Sequence, residues 1–284
     1  MKILLANVAV AEPGGESANF VENILLPAWR KNFNLVKNEN TQIVSRFPQW
    51  GITGLDGFFY SYIDTLNAQS VLYAAIQAEK EGFDAVLITC FGDPLLWQIR
   101  QAVNIPVVSF GEASILMAAM MGYKFGVVTI SPYNIIETEH TIAKYGLTER
   151  LAGIRANPES GMEQDHALIN ARPAIATFKK IARELIAKGA EIILPGCGLM
   201  SPALRLAPGA EDEYPNGITE VDGVPIADVM ANGLLMAEMM VTLKQSGSSW
   251  ISRKGLFAQA TEQAKECGRM VLQDDRMKFW DIPL

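Results

Sequence analysis

Gln77-Ala-Glu-Lys-Glu-Gly82-Phe-Asp84-Ala-Val-Leu-Ile-Thr-Cys90 and Arg183-Glu-Leu-Ile-Ala-Lys-Gly189-Ala-Glu191-Ile-Ile-Leu-Pro-Gly-Cys197 follow one plan. In each copy a helix end meets a glycine, an acid follows two positions later, and an apolar run leads into a cysteine eight positions beyond the glycine. Glycine is the residue helices favour at their C′ position, where the backbone turns left-handed. A short run rich in Ile, Leu and Val, with no polar alternation, marks a strand buried on both faces in a parallel sheet. Besides 85–89 and 191–194, similar runs recur at 2–8, 41–45, 106–109 and 125–129. Helix-like periods separate them at 16–33, 65–81, 93–102, 112–121, 135–145, 162–188 and 224–245. This alternation predicts a doubly wound α/β fold with parallel sheets. The repeat extends further: Ile105-Pro106-Val107 precedes a helical stretch containing Leu116-Met117-Ala118, and Val224-Pro225-Ile226 precedes one containing Leu235-Met236-Ala237. Two similar halves related by a pseudo-twofold axis are therefore expected.

The 284 residues are 49% hydrophobic and 19% charged, which is enough apolar matter for a large core and too little charge for a disordered chain. A net charge of −7 without a basic run argues against nucleic acid as a partner, because phosphate recognition needs clustered Lys and Arg. No apolar run reaches the ~20 residues of a membrane helix, and the N-terminal stretch lacks a secretory apolar region, so no membrane partner is expected. Three widely spaced cysteines do not make a disulfide framework and fit reduced thiols in the cytoplasm. His140 and His166 stand apart and no cysteine has a CxxC partner, so no metal site is expected. Gly14-Gly15 lacks the rest of a phosphate-binding motif and reads as a loop at the pocket, with Ser17 a candidate helix cap. Cys267 has no repeat partner and reads as structural. The Met-rich stretch 234–240 reads as core or subunit interface, consistent with a homo-oligomer. The apolar tail 279–284 reads as docking on its own chain or on a neighbour.

The repeat carries the chemistry. Cys90 and Cys197 each fall just past the carboxyl end of a parallel strand, where doubly wound sheets place their ligands. For either residue alone, a buried structural cysteine is the plain alternative. Backbone N–H groups of a turn and a following helix stabilise a thiolate there. A thiolate removes an acidic proton beside a carbonyl, and an opposed thiol returns one on the other face, so the stereocentre inverts. Both sulfurs reach one carbon if they stand roughly 7 Å apart. Asp93 reads as a helix N-cap with Pro94 at N1, or as a group orienting the thiol or a substrate nitrogen. Glu112 either stabilises a helix start or contacts the cleft, and the Thr129 hydroxyl either caps a helix or binds ligand.

The same segments resemble the Asp/Glu/hydantoin racemase superfamily, in particular its hydantoin and allantoin racemase branch. The resemblance rests on Gly82-Phe-Asp-Ala-Val-Leu-Ile-Thr-Cys90-Phe91-Gly92-Asp93-Pro94, Ile105-Pro106-Val107-Val108-Ser109-Phe110-Gly111-Glu112-Ala113, Gly122-Tyr-Lys-Phe-Gly-Val-Val-Thr129 and Gly189-Ala-Glu-Ile-Ile-Leu-Pro-Gly196-Cys197-Gly198. It implies that Cys90 and Cys197 are an acid/base pair of a cofactor-independent racemase acting on a small cyclic ureide. It also implies that the turn amides at Phe91–Gly92 and Gly198–Leu199, with Thr129, hold the substrate. The implied fold is two α/β domains with substrate between them, residues 1–104 plus 222–284 and residues 105–221. The chain departs from the branch after its first strand, where Asn7-Val8-Ala9-Val10 stands in place of an Asn-Pro-Asn-Thr type turn; Asn7 alone is retained as a substrate-binding candidate. It also carries extra stretches at 205–223 and beyond 247, expected at the pocket mouth or a subunit contact. A single-cysteine isomerase or decarboxylase, and a non-catalytic small-molecule binding protein, are the competing readings.

Overall fold

Two open sheets organise the chain. The computed structural model describes residues 1–15, 17–52, 57, 60–157, 166–271 and 278–284. The first sheet runs β10-β2-β1-β3-β4, from β1 (Lys2–Ala6), β2 (Gln42–Pro48), β3 (Ala85–Ile88), β4 (Val107–Ser109) and β10 (Phe279–Pro283). Its members from β2 to β4 are parallel. The second sheet is β6-β5-β7, from β5 (Phe125–Thr129), β6 (Leu151–Ala156) and β7 (Ile192–Pro195), all parallel. The fold is thus the expected α/β architecture.

The register makes the internal repeat physical. Val86 of β3 pairs with Val107 of β4, and Ile193 of β7 makes a parallel bridge to Ile226. Val86 and Ile193 both lie four positions after their glycine, and Val107 and Ile226 are the matching members of the two Ile/Val-Pro segments. Each segment then enters a helix, Phe110–Met121 in one copy and Val229–Gln245 in the other. These two helices pack on each other so closely that a methyl at Gly233 would lie 2.6 Å from the Phe110 ring. One apolar core spans both sheets, joining Leu5, Leu87 and Phe110 to Phe125, Ile192 and Leu194.

Several elements depart from expectation. Because β4 pairs with β3, residues 107–109 belong to the first sheet. The 93–102 helix starts only at Leu96, since Asp93 and Leu95 both take positive φ. Val224–Pro225 forms a short hairpin strand (β9) with Glu220–Val221 (β8), leaving the final long helix to begin at Val229. The 162–188 period yields the helix Arg172–Ile186, while residues 162–165 lie outside the described residues, as does Glu16. Downstream of Ser17 the helix contains a π segment, Val21–Leu25, before Leu26–Phe33. The Ser17 hydroxyl makes no cap; it donates to the Val10 carbonyl instead, at 3.4 Å. β6 and β10 escaped the sequence reading.

The tail docks on its own chain. β10 lies antiparallel along the outer edge of β2, and Arg46, buried beneath it, is paired with Asp281 and Glu81 at 2.6 Å each. The 205–223 stretch folds into the second sheet's core, where Ile218 and Val221 are buried, and contributes nothing to the cavity described below.

Candidate active site

β3 ends at Ile88 and β7 at Pro195, so Cys90 and Cys197 each stand two residues past a parallel strand. The two turns abut: a methyl at Gly196 would lie 3.6 Å from the Phe91 ring, and one at Gly198 3.4 Å from the Thr89 carbonyl oxygen. Both cysteines are half-buried, and both line one cavity of about 270 Å³. Cys267, exposed on the late helix Glu262–Val271, does not line that cavity.

Backbone amides meet both sulfurs. The Leu199 N–H donates to Cys197 Sγ at 3.3 Å, and the Gly92 N–H favours the Cys90 thiolate. Burial nevertheless dominates at Cys90 and pushes its thiol well above the ordinary value, helped by the negative charge of Asp64. These two amides, expected to hold the substrate, are therefore engaged by the thiols. The remaining turn residues, Phe91, Gly198 and Thr129 at the end of β5, do line the cavity.

Asn7 also reaches the wall, but its amide is committed elsewhere. Nδ2 donates to Ser45 Oγ (2.8 Å) and to the Arg46 carbonyl (3.0 Å), while Oδ1 accepts from Thr89 Oγ1 (2.9 Å). It ties the carboxyl ends of β1, β2 and β3 together under the cavity floor.

Asp93 and Glu112 do not line the cavity. With φ of +52°, Asp93 turns its carboxylate away from its own helix and accepts the Glu112 N–H at 3.0 Å, capping the Phe110–Met121 helix from outside. It also accepts the Tyr145 hydroxyl at 2.6 Å. Burial raises the Asp93 carboxyl, and burial followed by the Asp93 charge raises the Tyr145 phenol. Glu112 is held in a two-pronged pair with Arg100, whose guanidinium also donates to the Val107 carbonyl. Ser109 Oγ donates to the Cys90 carbonyl at 2.8 Å. These groups brace the Cys90 turn from behind. The sequence could not separate the bracing role from a binding one, because both put an acid beside a helix start.

Two features of the wall had no sequence signal. One is an apolar face made by Phe20, Val21, Leu25 and Trp29 with Phe47 at the end of β2. The other is a pair of carboxylates, Asp64 and Glu137, in the first turns of helices Ser61–Lys80 and Ile135–Lys144. An acid in a first helical turn reads from sequence as a complement to the helix dipole, which conceals a cavity role. Among the described residues, no group of three or more His, Cys, Asp or Glu is placed to hold a metal, and no helix is long and apolar enough to cross a membrane.

Known proteins resemble this chain in sequence and in fold. A profile of the Asp/Glu/hydantoin racemase family matches residues 58–231. A hydantoin racemase from Paenarthrobacter aurescens is 31% identical over 203 residues, covering 69% of this chain and 77% of its own. One from Pseudomonas sp. (strain NS671) is 28% identical over 210 residues, covering 74% and 78%. The crystal structure of allantoin racemase from Pseudomonas fluorescens superimposes with a TM-score of 0.69 at 25% identity, covering 92% of this chain and 97% of that one. With over half of its length matched by that profile, the chain belongs to the Asp/Glu/hydantoin racemase family and is an isomerase.

Proposed function

We propose that the chain racemises a neutral cyclic ureide, by preference a 5-substituted hydantoin, with Cys90 and Cys197 as the two proton-transfer groups. The observation that carries this is the arrival of both thiols at one cavity from repeat-equivalent strand ends. One cysteine, as thiolate, takes the proton from the ring carbon; the C–H pair moves into the adjacent carbonyl as an enolate. The other, as thiol, delivers its proton to the opposite face, so the product is the mirror image and the two sulfurs have exchanged protonation states. The protons come from and return to the thiols, so the scheme calls for no cofactor. Thr129 and the wall's remaining turn amides are the candidates for the enolate oxygen, where each donor is worth about 3–4 kcal/mol in related chemistry. The apolar face from Phe20 to Trp29 is suited to the ring substituent.

The proposed catalytic seam lies between two α/β units, which we take as residues 1–109 with 228–284 and residues 110–227. A homo-oligomer is expected, because Leu116, Met120, Leu235 and Met239 stand exposed on the two repeat-equivalent helices, which offers a second copy a self-matching apolar face. The decisive test follows the α-proton of enantiopure hydantoins by NMR in D₂O. The native protein should racemise them with deuterium incorporation. Cys90→Ser and Cys197→Ser should each lose racemisation, with one enantiomer still open to slow exchange. Full racemisation by either variant would exclude the two-thiol scheme.

A further inference from the structure

Carboxylates outside the cavity are met either by a cation or by N–H and O–H donors: buried Glu238 accepts from the Asn38 N–H and the Thr41 hydroxyl, and half-buried Asp228 from Asn32 and the Ala231 N–H. Glu112 is paired with Arg100, and Asp281 and Glu81 with Arg46. Asp64 and Glu137 are different. They approach the cavity from two separate helices, and the described residues lining it include no Lys, Arg or His. Glu137 accepts one long hydrogen bond, from the Asn134 amide at 3.4 Å. Beyond the effect of burial, the charge of Glu137 raises the Asp64 carboxyl, and the charges of Asp64 and Glu137 raise the Cys90 thiol. Behind that thiol lies a third acid, Asp93, whose charge is offset by Lys144 and by the donors of Tyr145 and Glu112. Charge held in a partly enclosed site without a counter-ion is expensive and is characteristic of functional walls. The first-turn helix dipoles temper it, and low-dielectric walls focus what is left on any ligand.

We propose that Asp64 and Glu137 are a charge filter: they admit neutral ligands rich in N–H donors and reject ligands that carry a carboxylate. The filter rests on the racemase reading only for the identity of the natural ligand. Ring amides and ureide N–H groups find acceptors in the two carboxylates. Acidic amino acids and open-chain carbamoyl acids meet like charge with no cation to anchor them. Specificity within this cavity is thereby set by a repulsive element as much as by an attractive one.

The test uses two reagents of nearly the same size, iodoacetamide and iodoacetate, on the whole native protein, with rates at each cysteine read by mass spectrometry. Exposed Cys267 is the internal reference. At Cys90 or Cys197 the preference for the neutral reagent should exceed that at Cys267 by about tenfold or more, the size expected for unscreened like charges a few ångströms apart. In Asp64→Asn/Glu137→Gln the preference should collapse to that of Cys267, with each single variant intermediate. An unchanged preference in the double variant overturns the filter, as does a failure of both reagents to reach either cavity thiol. In parallel, 5-benzylhydantoin should raise the melting temperature of the native protein and hydantoin-5-acetic acid should not. If neither compound binds, the hydantoin reading fails while the alkylation ratio still judges the filter.

Discussion

Replacing Asp64 by Asn should stabilise the ligand-free protein, and only above a definite pH. Burial, and then the charge of Glu137, raise the Asp64 carboxyl from 3.8 to about 6. In the unfolded chain the group ionises near ~3.9. A folded-state value above the unfolded one means that the carboxyl helps folding at low pH and that this help is lost as pH rises. Below about pH 4 Asp64 is neutral in both states and behaves like Asn. Between about pH 4 and 6 the unfolded chain ionises first, and above that range the whole difference, about 3 kcal/mol at ~1.36 kcal/mol per pH unit, opposes folding. The group opens on the cavity, so solvent screening reduces this to about 1–2 kcal/mol. At roughly 2 °C per kcal/mol for a chain of this size, Asp64→Asn should melt about 2–4 °C above the native protein at pH 7.5 and together with it near pH 4. Thermal unfolding of both proteins across that range is the assay. A difference that does not vary with pH, or an Asn variant less stable at pH 7.5, would refute the assignment of Asp64 as an ionised, uncompensated wall group.

Two further perturbations probe the scaffold. Gly111→Ala would place a methyl 2.0 Å from the Phe91 carbonyl oxygen, so the turn bearing Cys90 must shift; stability should fall by about 1–3 kcal/mol in urea titrations and α-proton exchange should drop sharply, whereas native-like values for both would contradict the packing. Asp281→Ala removes one of the two carboxylates on buried Arg46 and loosens β10; because Asp281 is partly exposed and Glu81 remains, a loss of about 1–3 kcal/mol in denaturant is expected, and an unchanged midpoint would show that the tail adds no stability.

The parts legible in the sequence are those specified over short range. β3 and β7 announce themselves because a fully covered parallel strand must be apolar at every position, and the glycines before them occupy left-handed backbone, Gly82 at φ +79° and Gly189 at +90°. β6 and β10 stayed hidden for the converse reason. Each is an edge strand with half-exposed positions, and β10 is a strand only because β2 offers it an open edge. Asp93 illustrates the same limit at the site. Its neighbour Pro94 signals a helix start, yet the carboxylate caps a helix 19 residues downstream, which no local pattern records.

From sequence alone came the α/β class, the doubled plan and the two thiols at its matching points, because repetition and strand burial are written in consecutive residues. Folding alone decided what surrounds those thiols. Phe20 and Trp29, Phe47, Asp64 and Glu137 come from four separate segments, and they share a wall only because the sheets and their helices pack around one core. Charge and shape in a cavity are sums over residues distant in the chain, and that sum exists only once the chain has closed on itself.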